Sequence, residues 1–504
     1  MKKMKLLLSL LLLVGIASCN NQADSSNTTS SNESSSTIVE SSSTIVESSS
    51  IIEESSSSSS SSNEDVSSSV TTEPVDFAAN VKFDPNDTSK VYAEVTVHSY
   101  IDGDTTHFVP VGTPKNWIKD EDGVLKARYN CVDTPESTGK VEPWGVAAKK
   151  YTNSHLKEAK SIIVQSDTNT WNTDSTGVRY LVWVWYMAAD ASEYRLLNLE
   201  LVQEGLAKLK SASNFSLADV FQKANLQSMQ LGLKLYNTKL KDPDFYYGDA
   251  LPISLKELRL HIDSYKDKKV SVEGLITYYD SDGGSFYISE YEGSYAYSIG
   301  VYLGFNTYDI IKAGNYLRVV GTVQYFDPSD EGNGTWQISG VTYRYMNPDH
   351  KDSMKVISED NEVTPFPITY VDLSTQDKDK IIFEETVVGD DGEETINTIE
   401  ILPGNLYQGT YVKYSNLEVY RCYTTQTEGS KNKNAITMYC RDADGNEIVV
   451  RTSVMYRKDD KGNVELVTQD EFLNKTINVL GIVDHYNDSI QIHVFQVGDI
   501  TFVA

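Results

Sequence analysis

The chain has 504 residues, more than one hydrophobic core normally accommodates, so we expect about three domains with connecting segments. Its formal net charge of −28 is unevenly distributed: residues 90–241 carry +1, whereas residues 20–89 carry −11 and residues 242–504 carry −21. Strong, salt-sensitive binding of nucleic acid needs clustered cations, so the composition argues against that role for the C-terminal half.

The first nineteen residues have the pattern of a targeting segment. Three lysines precede an apolar run, residues 6–16, that is too short to span a bilayer comfortably. Small residues then lead to Cys19, which resembles a bacterial lipoprotein signal, where cleavage precedes lipidation of this thiol. An ordinary signal peptide with an incidental cysteine is the alternative. We expect the mature protein to be lipid-anchored through Cys19 at the extracellular face of the bacterial cell membrane.

Residues 20–89 are a low-complexity segment rich in Ser, Thr and Glu, in which the heptapeptide at residues 34–40 recurs at residues 41–47. Such a composition cannot bury enough apolar surface to offset the entropy of ordering the chain. We therefore predict a disordered tether that holds the folded part away from the membrane.

Residues 90–240 combine strand and helix patterns. Strands are predicted at Val91–Val97, Thr105–Val109, Gly123–Val132, Ser161–Gln165 and Arg179–Met187, and helices at Val146–Ala159, Leu196–Gly205 and Leu217–Leu231. Five strands with interspersed helices fit a small closed barrel flanked by three helices.

Two later regions, residues 250–346 and 409–504, alternate almost entirely as strands separated by turns. Gly321 and Gly481 occupy comparable places in the two regions, and we predict that each closes a strand where a small barrel bends tightly. Both regions resemble OB-fold modules. Residues 347–408 are polar and turn-rich and are predicted to be a linker with the start of the last module.

Three cysteines remain besides Cys19, and their spacing is not that of a zinc site. Cys422 and Cys440 lie symmetrically about a polar loop, so they could pair across a hairpin as a disulfide or stay free. Cys131 is predicted to be a buried strand residue rather than a nucleophile.

Four short segments carry residues suited to phosphodiester chemistry. In chain order they contain Asp102-Gly103-Asp104, Arg128, Asp133-Thr134-Pro135-Glu136, and Asp174 to Arg179. They offer carboxylates for a hard metal ion, two guanidinium groups for a phosphate, and one further carboxylate that could act as a base. Each segment alone is weak, since the first is commonly a turn and the third can be a helix cap or turn. Their ordered coincidence is far more specific.

In this order the segments resemble the active site of the thermonuclease (staphylococcal nuclease-like, SNase) family over residues 91–237. The helix start at Glu142-Pro143-Trp144-Gly145 and the later Gly205-Leu206-Ala207 add to the resemblance. It implies a hydrolase, an endonuclease whose substrates are DNA and RNA. It also implies an α+β nuclease domain, a five-stranded OB-type barrel with three helices. Together with the two OB-like regions, this gives an expected fold that is mainly β, with the nuclease domain followed by two small OB-like β-barrels.

The resemblance implies Ca²⁺ as the cofactor, bound by Asp104, Asp133 and the backbone carbonyl of Thr134. Calcium takes six to eight oxygen ligands, so three from the protein leave room for water and a substrate phosphate. Glu136 matches the family's proposed general base, which positions or deprotonates the attacking water. Arg128 and Arg179 match the arginines that stabilise charge on the phosphoryl group.

A different class of function is a catalytically silent surface scaffold or adhesin that uses three barrels to bind a partner. The acidic C-terminal half favours it, whereas the retention of every charged site residue argues against it. Aromatic residues of the OB-like modules could stack on single-stranded bases or be ordinary strand aromatics, and the acidic charge favours the second reading. An unknown partner of these modules stays open, and we expect a monomer.

Overall fold

The computed structural model describes residues 73–114, 116–118, 123–280, 284–304, 306–328, 334–388, 393–426, 432–458, 462–486 and 489–503. The predicted leader with Cys19 and most of the predicted tether lie outside the described residues. From Asp76 onward, the described residues belong to one compact unit. Within those ranges, no helix has the length and apolar character needed to cross a membrane.

The first five barrel strands confirm the predicted closed barrel. They are Tyr92–Asp102, Thr105–Pro110, Leu125–Tyr129, Ala159–Gln165 and Tyr180–Ala188. They are arranged in the order 1-2-3-5-4, and the fourth pairs with the first to close the barrel. The third and fifth strands are parallel, with Arg128 opposite Leu181, while the other neighbouring pairs are antiparallel.

The three predicted helices are present as α2 (Gly145–Lys157), α3 (Leu197–Gln203) and α4 (Ala218–Leu231). They pack on the barrel around a core that includes Trp183 and Phe221, whose rings lie 5.4 Å apart.

The end of the range predicted as a disordered tether is ordered. A short helix, α1 (Phe77–Asn80), begins after Asp76, whose carboxylate accepts a hydrogen bond from the backbone N–H of Ala79. The backbone N–H of Phe77 donates to the side chain of Gln203 at the end of α3, at 2.7 Å. Phe77 and Ala78 supply apolar contacts that the polar composition of the preceding segment lacks, which explains the difference.

Two further closed barrels follow. The second consists of Lys269–Asp280, Ser285–Glu292, Tyr295–Tyr302, Tyr316–Phe326 and Thr335–Ser339. The third consists of Tyr411–Thr424, Ile436–Arg441, Glu447–Thr452, Thr476–Tyr486 and Ser489–Val494. Both have the strand order of the first barrel, again with a parallel pair between the third and fifth strands. The described residues thus form the same barrel topology three times in succession.

Gly321 and Gly481 lie in the middle of the fourth strands of their barrels, so the prediction that they close strands was wrong. Each faces the second residue of the first strand, Val270 or Val412. A Cβ atom at Gly321 would lie 2.6 Å from the backbone oxygen of Ser339, and one at Gly481 would lie 2.5 Å from that of His493. Glycine is required here because the fifth strand passes too close for any side chain.

The predicted linker, residues 347–408, contains regular structure. Lys355–Ser358 pairs with the second barrel, and Phe366–Pro367 runs parallel to the first strand of the third. Ile381–Val388 and Glu394–Ile401 form a two-stranded hairpin. Two short helices precede the first strands of the second and third barrels, α5 (Leu255–Leu260) and α6 (Pro403–Leu406).

The remaining described elements are short. They are strands Val132–Asp133, Arg195–Leu196, Lys208–Leu209, Leu251–Pro252, Tyr456–Lys458, Val464–Leu466 and Ile500–Phe502, and 3₁₀ turns Ala212–Asn214, Lys234–Tyr236, Ile262–Tyr265, Val371–Leu373, Asp377–Asp379, Gln469–Glu471 and Val497–Asp499.

The described cysteines are free thiols. Cys422 lies opposite Met438, and Cys440 lies opposite Val419, so the hairpin register does not pair the two cysteines, and the disulfide alternative is not realised. Cys131 is buried, but it lies in a turn with φ of 66° and not in a strand as predicted. Burial raises the pKa of Cys131 to about 12, which agrees with an unreactive thiol.

Candidate functional site

The turn after the first strand places one predicted metal ligand inside the protein. Gly103 and Asp104 connect strand Tyr92–Asp102 to strand Thr105–Pro110. The hydroxyl of Thr152 on α2 donates to the carbonyl of Gly103 at 2.6 Å, which holds the turn against the helix. The Asp104 side chain is 1% exposed, so it needs several donors to offset its desolvation.

Arg128 joins the two predicted carboxylate ligands. One of its terminal nitrogens lies 2.5 Å from Oδ1 of Asp104, and the other lies 2.5 Å from Oδ1 of Asp133. Asp104 and Asp133, which lie 24 and 5 positions from Arg128 in the sequence, thereby meet in one cluster. A planar guanidinium is suited to this role because its two arms present donors in fixed directions.

Asp104 accepts further hydrogen bonds that use both of its oxygens. The backbone N–H of Thr134 donates to Oδ2 at 2.9 Å, and the hydroxyl of Thr105 donates to Oδ1 at 3.0 Å. Burial raises the pKa of Asp104 above its ordinary value, while Arg128 and the Thr134 N–H counteract the increase. The segment Asp133–Thr134 is therefore held directly against Asp104.

Asp133 is more accessible, with 44% of its side chain exposed, and it has a second cation that sequence reasoning missed. Nζ of Lys210 lies 2.8 Å from Oδ1 of Asp133. Strand Lys208–Leu209 pairs antiparallel with Val132–Asp133, which brings the lysine to the site. In the sequence, the indication of this contact is that Lys210 follows shortly after Gly205-Leu206-Ala207.

Thr134 also contributes an unusual feature. Its Oγ1 is buried and has no hydrogen-bond partner in the described structure. Such an orphaned oxygen beside two carboxylates costs free energy unless another group satisfies it. Carboxylate, carbonyl and hydroxyl oxygens are the donors that a hard divalent cation prefers, so the side chains present here fit Ca²⁺.

Glu136 is exposed but its backbone is tightly enclosed. Gly145, the first residue of α2, packs so closely that a Cβ atom there would lie 2.2 Å from the carbonyl oxygen of Glu136. The same carbonyl accepts a hydrogen bond from the N–H of Glu142 at 2.9 Å. The start of α2 therefore fixes the position of the Glu136 backbone, from which the side chain extends.

Asp102 forms a carboxyl pair with Glu136 that the sequence interpretation missed. Oδ2 of Asp102 accepts a hydrogen bond from the N–H of Ser137, the residue after Glu136, at 3.4 Å. Burial, and then the negative charge of Glu136, raise the pKa of Asp102 to about 7, although the Ser137 hydrogen bond opposes this. The Asp102-Gly103-Asp104 motif could have indicated this pair, because Asp102 lies two positions before Asp104 at the same turn.

Arg179 lies just before the neighbouring strand, Tyr180–Ala188, and has a different partner. It precedes Leu181, the residue opposite Arg128, by two positions. Nε and a terminal nitrogen of Arg179 lie 2.8 and 2.7 Å from Oδ2 of Asp174. Its described contacts are thus with the turn at residues 174–179 and not with the cluster around Arg128.

The second barrel contacts the segment that follows Glu136. The side-chain amide of Gln324 donates to the carbonyl of Ser137 at 2.9 Å, and the hydroxyl of Ser339 donates to the carbonyl of Gly139 at 3.2 Å. Gln324 and Ser339 are themselves hydrogen-bonded and buried. The segment is therefore held on one side by α2 and on the other by the second barrel.

Part of this region matches a known protein family. Residues 126–236 match the family model described as Staphylococcal nuclease homologue (SNase). The match begins after the turn that carries Asp102 and Asp104 and ends before the second barrel. A search of curated proteins finds no match. Residues 126–236 are therefore similar to this family, and they include the predicted site residues Arg128, Asp133, Thr134, Glu136 and Arg179.

Proposed function

We propose that the first barrel and its helices form a Ca²⁺-dependent nuclease that hydrolyses phosphodiester bonds of DNA and RNA. The observation that carries this proposal is the bridge from Arg128 to both Asp104 and Asp133 within a domain that matches the SNase family. One guanidinium thereby lies next to both predicted metal ligands, where a substrate phosphate would meet cation and carboxylates together.

Asp104, Asp133 and the carbonyl of Thr134 would hold the calcium ion. The ion would supply Lewis-acid polarisation of a phosphoryl oxygen. Because Arg128 contacts both carboxylates, a phosphate that enters the site would compete with them for its two arms. Its planar donors would then stabilise the negative charge that grows during phosphoryl transfer, as would Arg179 from the turn before the adjacent strand.

Glu136 is proposed to orient and deprotonate the attacking water. The neighbouring Asp102 supports this role, because burial and the charge of Glu136 raise its pKa to about 7. A protonated Asp102 would donate to the Glu136 carboxylate and fix its rotamer. The exposed side chain leaves one oxygen free to accept from water. Placement of this carboxylate is then the protein's contribution to the step.

We further propose that the protein acts outside the cytoplasm, held to the bacterial membrane by lipid on Cys19 and by the Ser-rich tether. The leader pattern supports this, and so does the concentration of Ser, Thr and Glu in residues 20–75. A tethered nuclease would degrade extracellular nucleic acid near the cell surface.

The test is hydrolysis of single- and double-stranded DNA and RNA by the full-length chain, with Ca²⁺, with Mg²⁺, and with a calcium chelator. Glu136→Gln should lower the Ca²⁺-dependent rate by about a hundredfold, since it keeps the shape of the side chain and removes the base. Arg128→Lys should also lower it strongly, because an ammonium cannot bridge two groups as a guanidinium does.

Glu158→Gln is the matched control, since this exposed glutamate lies at the far end of α2. Its rate should equal that of the unmodified protein. If no substrate is cut with Ca²⁺, the nuclease proposal fails, and the catalytically silent scaffold or adhesin becomes the better reading of the three barrels. Cutting that survives both site substitutions would leave the activity but refute the assigned residues.

A further inference from the structure

A second group of side chains of the kinds that bind metal ions lies outside the first barrel, where α5 of the second barrel meets the hairpin of residues 381–401. Glu257, His261 and Glu385 each direct one ligand atom to this point, and the three atoms lie within 4.8 Å of one another. Nε2 of His261 is 2.9 Å from Oε2 of Glu385 and 3.9 Å from Oε2 of Glu257.

Local structure explains why these three side chains converge. Glu257 lies in the first turn of α5, and His261, four positions later, is the residue that follows its last turn. The N–H of His261 donates to the carbonyl of Glu257 at 3.1 Å, which brings the two side chains to the same side of the helix. Glu385 alternates with Phe383 along its strand, and Phe383 packs on Tyr295 of the second barrel. The side that presents Phe383 to the barrel therefore presents Glu385 to the helix.

The donor set suits a metal ion of borderline softness. It combines an imidazole nitrogen with two carboxylates, and among the contacts described for these residues none is an ion pair with lysine or arginine. The hydroxyl of Tyr265 donates to Oε1 of Glu257 at 2.8 Å, which leaves Oε2 directed toward His261. Such an outer hydrogen bond orients a carboxylate ligand in metal sites.

We propose that Glu257, His261 and Glu385 bind a Zn²⁺-type divalent ion that links α5 to the hairpin. Three protein ligands leave at least one position for water, and the side chains are between one quarter and two fifths exposed, so an ion can enter. A nitrogen ligand favours zinc over calcium and magnesium, which take oxygen donors. This site is thus chemically distinct from the oxygen cluster around Asp104.

The hairpin gives such an ion a physical role. A two-stranded hairpin by itself is marginally stable in water, and this one exposes Ile382 and Ile396 on its outer face. Its inner contacts end near Glu385, since the residues beyond it in the strand are exposed. An ion bound there would fasten the hairpin at the point where packing stops.

The test is Zn²⁺ binding to the full-length, chelator-treated chain by competition with a chromophoric chelator, with Co²⁺ absorption as a second readout. We expect one tightly bound equivalent and a rise in melting temperature with Zn²⁺. His261→Ala and Glu385→Gln should each weaken binding at least about tenfold and abolish the rise.

His350→Ala is the matched control, since His350 is another partly exposed histidine near a carboxylate, Asp352, outside the cluster. It should bind Zn²⁺ like the unmodified chain. The proposal is overturned if no stoichiometric binding occurs, or if all three variants bind alike, which would indicate diffuse association with acidic surface. Binding is read without nucleic acid, so failure of the nuclease proposal leaves this result unaffected.

Discussion

The side-chain amide of Gln324 donates a 2.9 Å hydrogen bond to the backbone carbonyl of Ser137, linking the second barrel to the residue next to Glu136. Ser137 in turn donates its N–H to Asp102, the carboxyl partner of Glu136. The second barrel therefore supports the backbone that carries the proposed base, Glu136. The acidic charge of the C-terminal half argues against direct nucleic-acid binding by this barrel.

Replacing Gln324 by leucine should lower kcat by about tenfold or more, because small displacements of a positioned catalytic group are costly. KM and the Ca²⁺ requirement should change little, since Gln324 contacts neither the metal ligands nor Arg128. Steady-state kinetics at several Ca²⁺ concentrations measure this separation. Gln337→Leu is the control, as Gln337 lies opposite Gln324 on the next strand without contacting Ser137. Equal kcat for the two variants would show that the barrel is not needed to place Glu136.

Arg179 gives a second prediction. Arg179→Ala should lower the rate by about a hundredfold, because it removes a charge that would stabilise the transferring phosphoryl group. Asp174→Asn should have only a small effect, since it releases the guanidinium without removing it. Although burial opposes it, hydrogen bonds from Thr176 and Arg179 hold the pKa of Asp174 below its usual range, so the pair is ionised in the unmodified protein.

The comparison uses Arg441→Ala as its control, since Arg441 stacks on Tyr420 in the third barrel, away from the site. That variant should retain the full rate. If Arg179→Ala cuts at the rate of the control, Arg179 serves only the turn that it forms with Asp174.

The mid-strand glycines predict a stability effect. Gly321→Ala or Gly481→Ala should each reduce the free energy of unfolding by about 1–3 kcal/mol, because the added methyl would overlap the fifth strand of its barrel. Gly498→Ala should be neutral, since a Cβ there meets no atom within 4 Å. Urea unfolding followed by fluorescence measures all three. Neutral substitutions at Gly321 and Gly481 would mean that the barrels relax around the methyl.

Asp484 predicts a pH dependence of stability. Burial raises its pKa to about 6, so the folded state holds a proton that the unfolded state releases, and this stabilising contribution is lost as pH rises through 6. Asp484→Asn should therefore raise the melting temperature by a few degrees at pH 8, with a smaller gain at pH 5. Nδ1 of His493 lies 3.9 Å from Oδ2 of Asp484, and burial lowers the pKa of His493 to about 4. The effect of His493 on the pH dependence of stability is therefore opposite to that of Asp484. For this reason each variant is compared with the unmodified chain at the same pH.

Asp444→Asn, in an exposed turn, serves as the control and should show no such pH dependence. A gain for Asp484→Asn that is equal at pH 5 and pH 8 would refute the assignment of a raised pKa to Asp484.

Local pattern was sufficient for the barrel strands and for the helices of the first domain. Alternation of apolar residues at Lys269–Ile276, or the helical spacing from Leu217 to Leu231, depends only on which face is buried. Where the chain departs from such periodicity, prediction failed: Cys131 lies in a turn within an apolar run, and α1 depends on contacts with Gln203, more than a hundred residues away.

The candidate site divides in the same way. The sequence by itself determined which side chains are available: Asp104, Arg128, Asp133, Thr134, Glu136 and Arg179, in an order that matches a nuclease motif. Only the tertiary structure decided their partners. It joined Asp104 to Asp133 through Arg128, brought in Lys210, and braced Ser137 with Gln324. Hydrogen bonds and ion pairs act over about 3 Å, and the distances between residues far apart in sequence are set by barrel closure, which no local pattern encodes.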